Sequence, residues 1–426
     1  MRGRLSVVTV GCKANFADSA AIVTHAARAG FEVVRGGKPA DVLIVNSCTV
    51  THRADRDSRA IVRRLRREHP DAVLVMTGCF AETTPEARAS LPEVDHWVGI
   101  REPSALPGLL RSLAGEAKGG DEDLSDYAAD LLLGHSRTFL KIQDGCDAVC
   151  AYCVVPRARG AGRSLPLREV LERAVRAERD GAREIVLTGI HAGRYGADRG
   201  ERDGLARLVE ALLQATSACR FRLGSVEPME ITSALVSLLS TSDRLCPHLH
   251  VPLQSGSDRV LQRMRRPYTA KGYRERLALL AAEVPGIRLG ADVIAGFPGE
   301  TRDDFSETMR LILDSPLSYL HAFPYSPRAG TESAGWTDDV TPAEKKRRVA
   351  RLRTADAAMR KEYLGMQVGK TLVVAVAARD PGSGEARGTT ENYAEAVIRE
   401  GGIPRGDLIP ARIDAVRGDH LEGTAV

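Results

Sequence analysis

An α/β architecture in three parts is predicted for this chain of 426 residues. It comprises an N-terminal open α/β sheet domain, a central partial (β/α) barrel and a C-terminal small β-barrel. Short apolar runs alternate with helical patterns over residues 1–115, and again on a larger scale over 136–365. From 366 to 426 the helical pattern gives way to short strand-like runs parted by Gly and Pro. Between the first two parts lies the polar, glycine-rich stretch Gly115-Glu116-Ala117-Lys118-Gly119-Gly120-Asp121-Glu122-Asp123, so 116–135 is expected to be a linker.

Composition narrows the class. Hydrophobic residues make up 43% of the chain and charged ones 27%, which with 40 glycines fits a soluble α/β enzyme rather than a disordered or fibrous chain. No apolar run approaches the ~20 residues needed to span a bilayer. Met1-Arg2-Gly3-Arg4-Leu5 leads into a strand-like run and not into a signal-peptide core. Eight cysteines are too sparse for a disulfide scaffold, and thiols kept for metal work point to the cytoplasm. A net charge of +4 does not by itself establish nucleic-acid binding. Two basic helices are more suggestive, one with Arg53, Arg56, Arg59, Arg63, Arg64, Arg66 and Arg67, the other with Lys345, Lys346, Arg347, Arg348, Arg351 and Arg353. A solvated face and a phosphate-binding face would use the same residues.

In the first part, Leu5–Val10, Asp41–Asn46 and Ala72–Thr77 read as buried strands, and Ala17–Ala27 as a helix stopped at Gly30. Each strand delivers a cysteine at its C-terminal end: Cys12, Cys48 and Cys79. Open α/β sheets build their sites outside those ends, so the three are expected to converge. The alternative is three small buried residues. In the middle part, strands are expected at Thr138–Ile142, Glu184–Leu187, Phe221–Leu223, Leu249–Val251, Arg288–Ile294 and Leu320–Phe323. Helices lie between them, at Leu165–Arg179, Leu205–Ala215 and Tyr273–Glu283 among others. Strands at Thr371–Val376 and Ala394–Ile398 open the third part.

Directly after the first strand of the middle part stands Cys146-Asp147-Ala148-Val149-Cys150-Ala151-Tyr152-Cys153. Iron–sulfur clusters are usually held by four thiolates, so three leave one iron open to another ligand. A structural zinc site is the competing reading, but it normally needs a fourth protein ligand, and no second cysteine pair follows. Packing or redox thiols are the third.

The C-x₃-C-x₂-C spacing, with Tyr152 before the last cysteine, resembles the signature of the radical S-adenosylmethionine (SAM) enzymes. Over nearly its whole length the chain resembles the radical SAM methylthiotransferases, through Gly11-Cys12-Lys13-Ala14-Asn15, Asn46-Ser47-Cys48-Thr49-Val50 and Thr77-Gly78-Cys79. Thr188-Gly189-Ile190-His191, Pro247–Ser257 and Met264-Arg265-Arg266-Pro267-Tyr268-Thr269 look like the branch acting on threonylcarbamoyladenosine in tRNA. Ala20 and Leu165 depart from the pattern, where the family commonly has an acidic residue and often an arginine.

The resemblance implies two [4Fe–4S] clusters. Cys146, Cys150 and Cys153 would hold the one that binds and cleaves SAM, and Cys12, Cys48 and Cys79 the auxiliary one associated with sulfur insertion. It also implies an RNA-binding TRAM-like domain at the C-terminus and, as partners, the tRNA anticodon stem-loop with an external electron donor and sulfur source. The reaction expected is conversion of N6-threonylcarbamoyladenosine at position 37 to its 2-methylthio derivative. Such chemistry belongs to cofactors that the protein orients and shields, because the adenine C2–H bond is neither acidic nor attached to a leaving group.

Strand ends on the presumed active face add Thr188, Gly189, Gln254 and Gly296, with Tyr152, as SAM-contact candidates. The competing reading for the glycines is turn geometry. His191, His248 and His250 are candidates for supporting groups or packed histidines; Cys219 and Cys246 read as structural. With aromatics at only 4%, RNA recognition is expected through phosphate and shape. Two alternatives remain open. One is the same chemistry on isopentenyl-adenosine or a ribosomal-protein aspartate; the other is a non-catalytic RNA-binding metalloprotein.

Overall fold

The structure, a computed structural model, describes residues 3–36, 38–102, 104–115, 124–380, 382–399 and 404–426. Residues 116–123 of the expected linker lie outside them. The chain forms two compact units. One comprises Met1–Ala148, Cys153–Ala182 and Leu187–Ile190; the other comprises Val149–Tyr152, Arg183–Val186 and His191–Val426.

The first unit is built on five strands, β1 (Arg4–Thr9), β2 (Glu32–Val34), β3 (Val42–Ser47), β4 (Val73–Gly78) and β5 (His96–Trp97). They pair in parallel in the order β2-β1-β3-β4-β5. β3 is buried along its whole length, as a central parallel strand covered on both faces must be. Leu5, Val7, Ile44 and Val75 pack on one face with residues of helices α1 (Lys13–Arg28), α4 (Ala105–Ala114) and α5 (Asp126–Leu133). On the other face Leu43, Val45, Leu74 and Met76 pack with Val62 and Leu65 of α2 (His52–Glu68) and Phe80 of the short α3 (Cys79–Thr83). Ala20 belongs to the first of these clusters and is buried, so a carboxylate there would meet an apolar core.

Within the stretch expected to be a linker, α5 is a packed helix. Ser125 caps it by accepting from Ala128 N, Tyr127 and Ala129 are buried, and the Asp130 carboxylate accepts from Phe139 N at 2.8 Å. Burial pushes the Asp130 carboxyl well above its usual range.

The middle of the chain supplies β6 (Thr138–Asp144), β7 (Arg163–Ser164), β8 (Glu184–Gly189) and β9 (Arg220–Leu223), ordered β7-β6-β8-β9. It also supplies a parallel sheet of β10 (His248–His250), β11 (Arg288–Ala295) and β12 (Tyr319–Pro324). Parallel bridges from Phe221 to Leu245 and from Ser225 to His250 continue the second unit from β9 toward β10. All six strands expected here are present. Among β1 to β12, the strands that sequence reasoning did not name, β2, β5 and β7, have two or three residues each, too few to show a period.

Beyond the helix Pro342–Gly365, β13 (Thr371–Arg379), β14 (Ala386–Thr390), β15 (Glu395–Arg399), β16 (Leu408–Arg417) and β17 (His420–Ala425) close a barrel in the order β13-β14-β15-β17-β16. Closure removes free sheet edges around a core of Val374, Val376, Ile398, Ile409, Ile413 and Leu421. This barrel docks on the N-terminal ends of the second unit's strands. Glu184, 1% exposed, pairs with Arg220 and Arg222, and these arginines donate onward to the carbonyls of Val373, Thr390 and Glu391. Arg288 donates to Tyr393 O at 2.6 Å, and the His248 ring lies against Tyr393.

Candidate metal centres

Three neighbouring strands of the first sheet end in cysteine. Cys12 follows β1 as the N-cap of α1, Cys48 follows β3, and Cys79 follows β4 and opens α3. The register Thr9–Asn46–Thr77 aligns the strand ends, so the thiols leave the sheet side by side. Gly11 permits the approach: at φ +125°, a Cβ there would lie 2.7 Å from Cys48 Cβ and 3.2 Å from its Sγ. Asn15 ties the loops together, its amide donating to Val10 O at 3.1 Å and Ser47 O at 3.0 Å while its carbonyl oxygen accepts from the Cys12 thiol at 3.3 Å. Burial raises the Cys48 thiol and pushes that of Cys79 up to about 12, and both feel Cys12 as a like charge. Metal binding here must therefore displace protons.

Arg159, at the end of α6 (Val155–Arg159), supplies the opposing charge. Its side chain is 2% exposed, donating to Asp144 at 3.0 Å, Asp18 at 2.7 Å and Asn15 Oδ1 at 3.2 Å. Lys141 joins both carboxylates, at 2.6 and 2.8 Å. Burial opposes the charge on Arg159, but Asp18, Cys79 and Asp144 more than offset it, and the guanidinium also hydrogen-bonds the Cys79 thiol. Burial likewise works against the Asp144 carboxylate, yet Lys141 and Arg159 hold its pKa down to about 2. The result is a fixed cation beside thiols that must become thiolates.

The second triad lies on the loop after β6. Gly145, at φ +73°, turns the chain where a side chain would overlap Ala161 O. Cys146, Cys150 and Cys153 are all partly exposed. Within the second unit, Ala151 is clamped by its N–H to Met264 O at 3.1 Å and its carbonyl to Ser333 N at 2.9 Å. It is buried with Val260, Met264, Phe297 and Tyr325, and Tyr152 meets the Phe297 ring edge-on. Arg266 donates to Cys150 Sγ at 3.3 Å, pairs with the Glu227 carboxylate and donates to Tyr268 Oη at 3.0 Å. Each triad thus has a buried arginine on a thiol. Neither role was read from the sequence. Arg266 stands inside the quoted Met264–Thr269 motif, but nothing in the spacing of either arginine marks it as buried.

The other candidate residues divide. Thr188 is buried on β8. At Gly189 a Cβ would lie 3.1 Å from both Gln143 O and Gln143 Oε1, so strand contact already favours glycine there. Gln254 takes a left-handed backbone, φ +63°, and bridges to β11 by donating to Asp292 O and accepting from Ile294 N. Gly296 makes a turn: φ is +75°, its N–H donates to Glu300 Oε2 at 2.6 Å, and a Cβ would overlap Lys345. His191 pairs with Glu230 at 2.6 Å. His248 is packed beneath Tyr319 at the strand starts, away from the cysteine loop. Cys219 and Cys246 are buried, in keeping with structural thiols.

The basic helices are less available to phosphate than their sequence suggests. Arg66 donates to the carbonyls of Pro70, Ala72 and Glu93, and Arg59 lies over the Phe80 ring. Lys345 and Arg348 are buried, held by Asp338 and by Glu300 with Glu344. Arg59, Arg66, Lys345 and Arg348 thus serve as braces, while Arg53, Arg56, Arg63, Arg64 and Arg67 of the first helix and Lys346, Arg347, Arg351 and Arg353 of the second stay exposed.

An uncharacterised protein family, UPF0004, matches residues 4–99, and the radical SAM superfamily matches 140–312. The chain is 35% identical to a threonylcarbamoyladenosine tRNA methylthiotransferase (MtaB) of Bacillus subtilis, across 98% of this chain and 95% of that one. The chain belongs to the radical SAM methylthiotransferases. A Chlamydia pneumoniae relative with the same name is 32% identical over 100% of this chain and 99% of its own. The tRNA-2-methylthio-N(6)-dimethylallyladenosine synthase of Chloroflexus aurantiacus is 33% identical over 99% and 91%. Among solved structures, the radical SAM methyltransferase TsrM of Kitasatospora setae has a TM-score of 0.56 at 15% identity, with 77% of each chain covered, a likeness of fold. As a radical SAM methylthiotransferase, the chain is an enzyme that transfers a sulfur-containing group, and its family uses SAM with two [4Fe–4S] clusters. The donor chemistry of both triads suits such clusters: three thiols, no fourth cysteine, and one guanidinium per set. No described helix is long and apolar enough to cross a membrane.

Proposed function

We infer that this methylthiotransferase converts N6-threonylcarbamoyladenosine at position 37 of the tRNA anticodon stem-loop to its 2-methylthio derivative. The near full-length identity to the Bacillus subtilis enzyme of that name carries the reading. Cys146, Cys150 and Cys153 hold the SAM-binding cluster, and Cys12, Cys48 and Cys79 the auxiliary one. When bound, the clusters supply reductive cleavage of SAM and a site for the sulfur being transferred. The protein positions and shields. Arg266 fixes Cys150, Arg159 keeps a positive charge against Cys79, and the packing of Ala151 and Tyr152 holds the loop rigid. Tyr152, Thr188, Gly189, Gln254 and Gly296 border the SAM, with Gly189 and Gly296 acting mainly by shaping the backbone. Residues 1–115 form the methylthiotransferase domain, 136–365 the radical SAM core and 366–426 a TRAM-like RNA-binding barrel. Electrons and sulfur come from outside the chain, in the cytoplasm.

The identity to a dimethylallyladenosine enzyme sets the competing substrate. Nucleoside mass spectrometry of tRNA from a strain lacking the gene decides between them. Loss of 2-methylthio-N6-threonylcarbamoyladenosine, restored by the intact gene, is expected. Its persistence, with loss of the methylthiolated isopentenyl nucleoside instead, would overturn the reading.

A further inference from the structure

The second unit carries a polar cluster that the chemistry above does not use. In the register of the β10–β12 sheet, His250 stands opposite Gly290, Asp292 opposite His321, and Ile294 opposite Phe323, so their side chains share one face. Along the edge of β12 the helix Pro342–Gly365 covers the backbone, with Asp356 accepting from Leu320 N at 2.7 Å. The shared face stays open toward the strand ends: the His321 side chain is 48% exposed and Phe323 39%. The cysteine loop lies at the same end. Ile294, the partner of Phe323, packs with the cluster that contains Ala151 and Tyr152.

The hydrogen bonds within the cluster are directional. Asp292 Oδ1 accepts from His250 Nε2 at 3.0 Å and from His321 Nδ1 at 3.2 Å, and the two imidazoles stack at 5.1 Å. Tyr319 Oη takes the remaining nitrogen of His250 at 3.2 Å. Although Asp292 is buried, His250 and His321 hold its carboxyl well below the usual range, so it is a fixed anchor. Both nitrogens of His250 are thereby used. His321 has one nitrogen fixed by Asp292, its side chain is half exposed, and its ring stands edge-on to the Phe323 ring with centroids 6.5 Å apart, so Nε2 is the nitrogen left for a ligand.

We propose that His321 is the specificity-determining residue for the N6 substituent of the adenosine. Its Nε2 accepts a hydrogen bond from the hydroxyl of the polar threonylcarbamoyl group, while Phe323 stacks on a base. The proposal rests on the threonylcarbamoyladenosine reading. With Nδ1–H given to Asp292, Nε2 is the acceptor for a hydroxyl of the substituent, and an apolar isoprenoid chain would leave that nitrogen desolvated and unpaired. Asp292 and His250 are positioning residues, since they orient the ring without facing outward.

The test is equilibrium binding of the reconstituted protein, without SAM, to three synthetic anticodon stem-loops carrying threonylcarbamoyladenosine, isopentenyl-adenosine or plain adenosine at position 37. The wild-type protein should prefer the first over plain adenosine by up to about tenfold, the upper end for one neutral hydrogen bond. H321F should erase that preference with affinity for the plain RNA kept, H321Q should retain part of it, and F323A should weaken all three RNAs alike by about tenfold through lost stacking. A preference that survives in H321F would overturn the proposal. Equal weakening of all three RNAs by H321F would overturn it too, assigning His321 to the fold. If instead the wild-type protein prefers the isopentenyl RNA, the substrate reading itself fails, and this proposal with it.

Discussion

Cys150→Ala is expected to abolish both SAM cleavage and methylthiolation, whereas Cys48→Ala should abolish methylthiolation and leave SAM cleavage running. The split follows from the two triads being built separately. Cys48 belongs to a sheet edge knitted by Asn15, Asn46 and Gly11, and Cys150 to a loop clamped by Met264, Ser333 and Arg266. Removing one thiol should therefore leave the other set in place. The readout is 5′-deoxyadenosine and methylthiolated nucleoside measured from the same anaerobic reaction. The supporting arginines should give a graded version of the same pattern. Arg266→Leu lowers SAM cleavage about 10–100-fold and Arg159→Leu lowers methylthiolation by a similar factor, the usual cost of removing a group that orients metal ligands. If Cys48→Ala stopped SAM cleavage as well, the two triads would not be separable in this way.

The second large effect is on stability. Glu184→Gln should destabilise the second unit by about 3–5 kcal/mol, because it strands the buried guanidinium groups of Arg220 and Arg222. Both arginines hold carbonyls of the C-terminal barrel, at Val373 and Glu391 with 2.9 Å each, so that barrel should also become the first site of limited proteolysis. Urea unfolding and protease mapping read the two effects. The contrast is Arg168→Ala, which breaks an exposed pair with Glu172 and should change neither measurement. An equal effect at both positions would mean that the buried trio does not anchor the barrel.

Much of the fold was legible because the strands advertise themselves. β3 and β4 are apolar runs, and each ends where a cysteine begins. The convergence of Cys12, Cys48 and Cys79 is expected from their shared place at the C-terminal ends of strands. The strand pattern of the middle part was equally plain, and β13 and β15 could be read beyond it. What could not be read was pairing at a distance. Arg159 meets Asp18 across 141 residues and Arg266 meets Cys150 across 116, and arginines are abundant enough that no spacing singles these out. The same holds for Lys345 and Arg348, which a charge count places on a surface and the fold buries. α5 was hidden by the polar stretch before it, although Ser125 is an ordinary N-cap. Gly189 and Gly296 carry two readings at once, since close strand packing at the one and a turn at the other favour glycine there whether or not a cofactor lies alongside.

Iron and sulfide content is the most direct test of the account's centre, two independent thiolate triads that each hold a cluster. Anaerobically reconstituted protein should carry about eight irons and eight sulfides per chain, and about four of each when either triad is replaced by alanines, as two [4Fe–4S] clusters require. About one zinc per chain with no sulfide, or loss of all iron when only Cys12, Cys48 and Cys79 are removed, would contradict it.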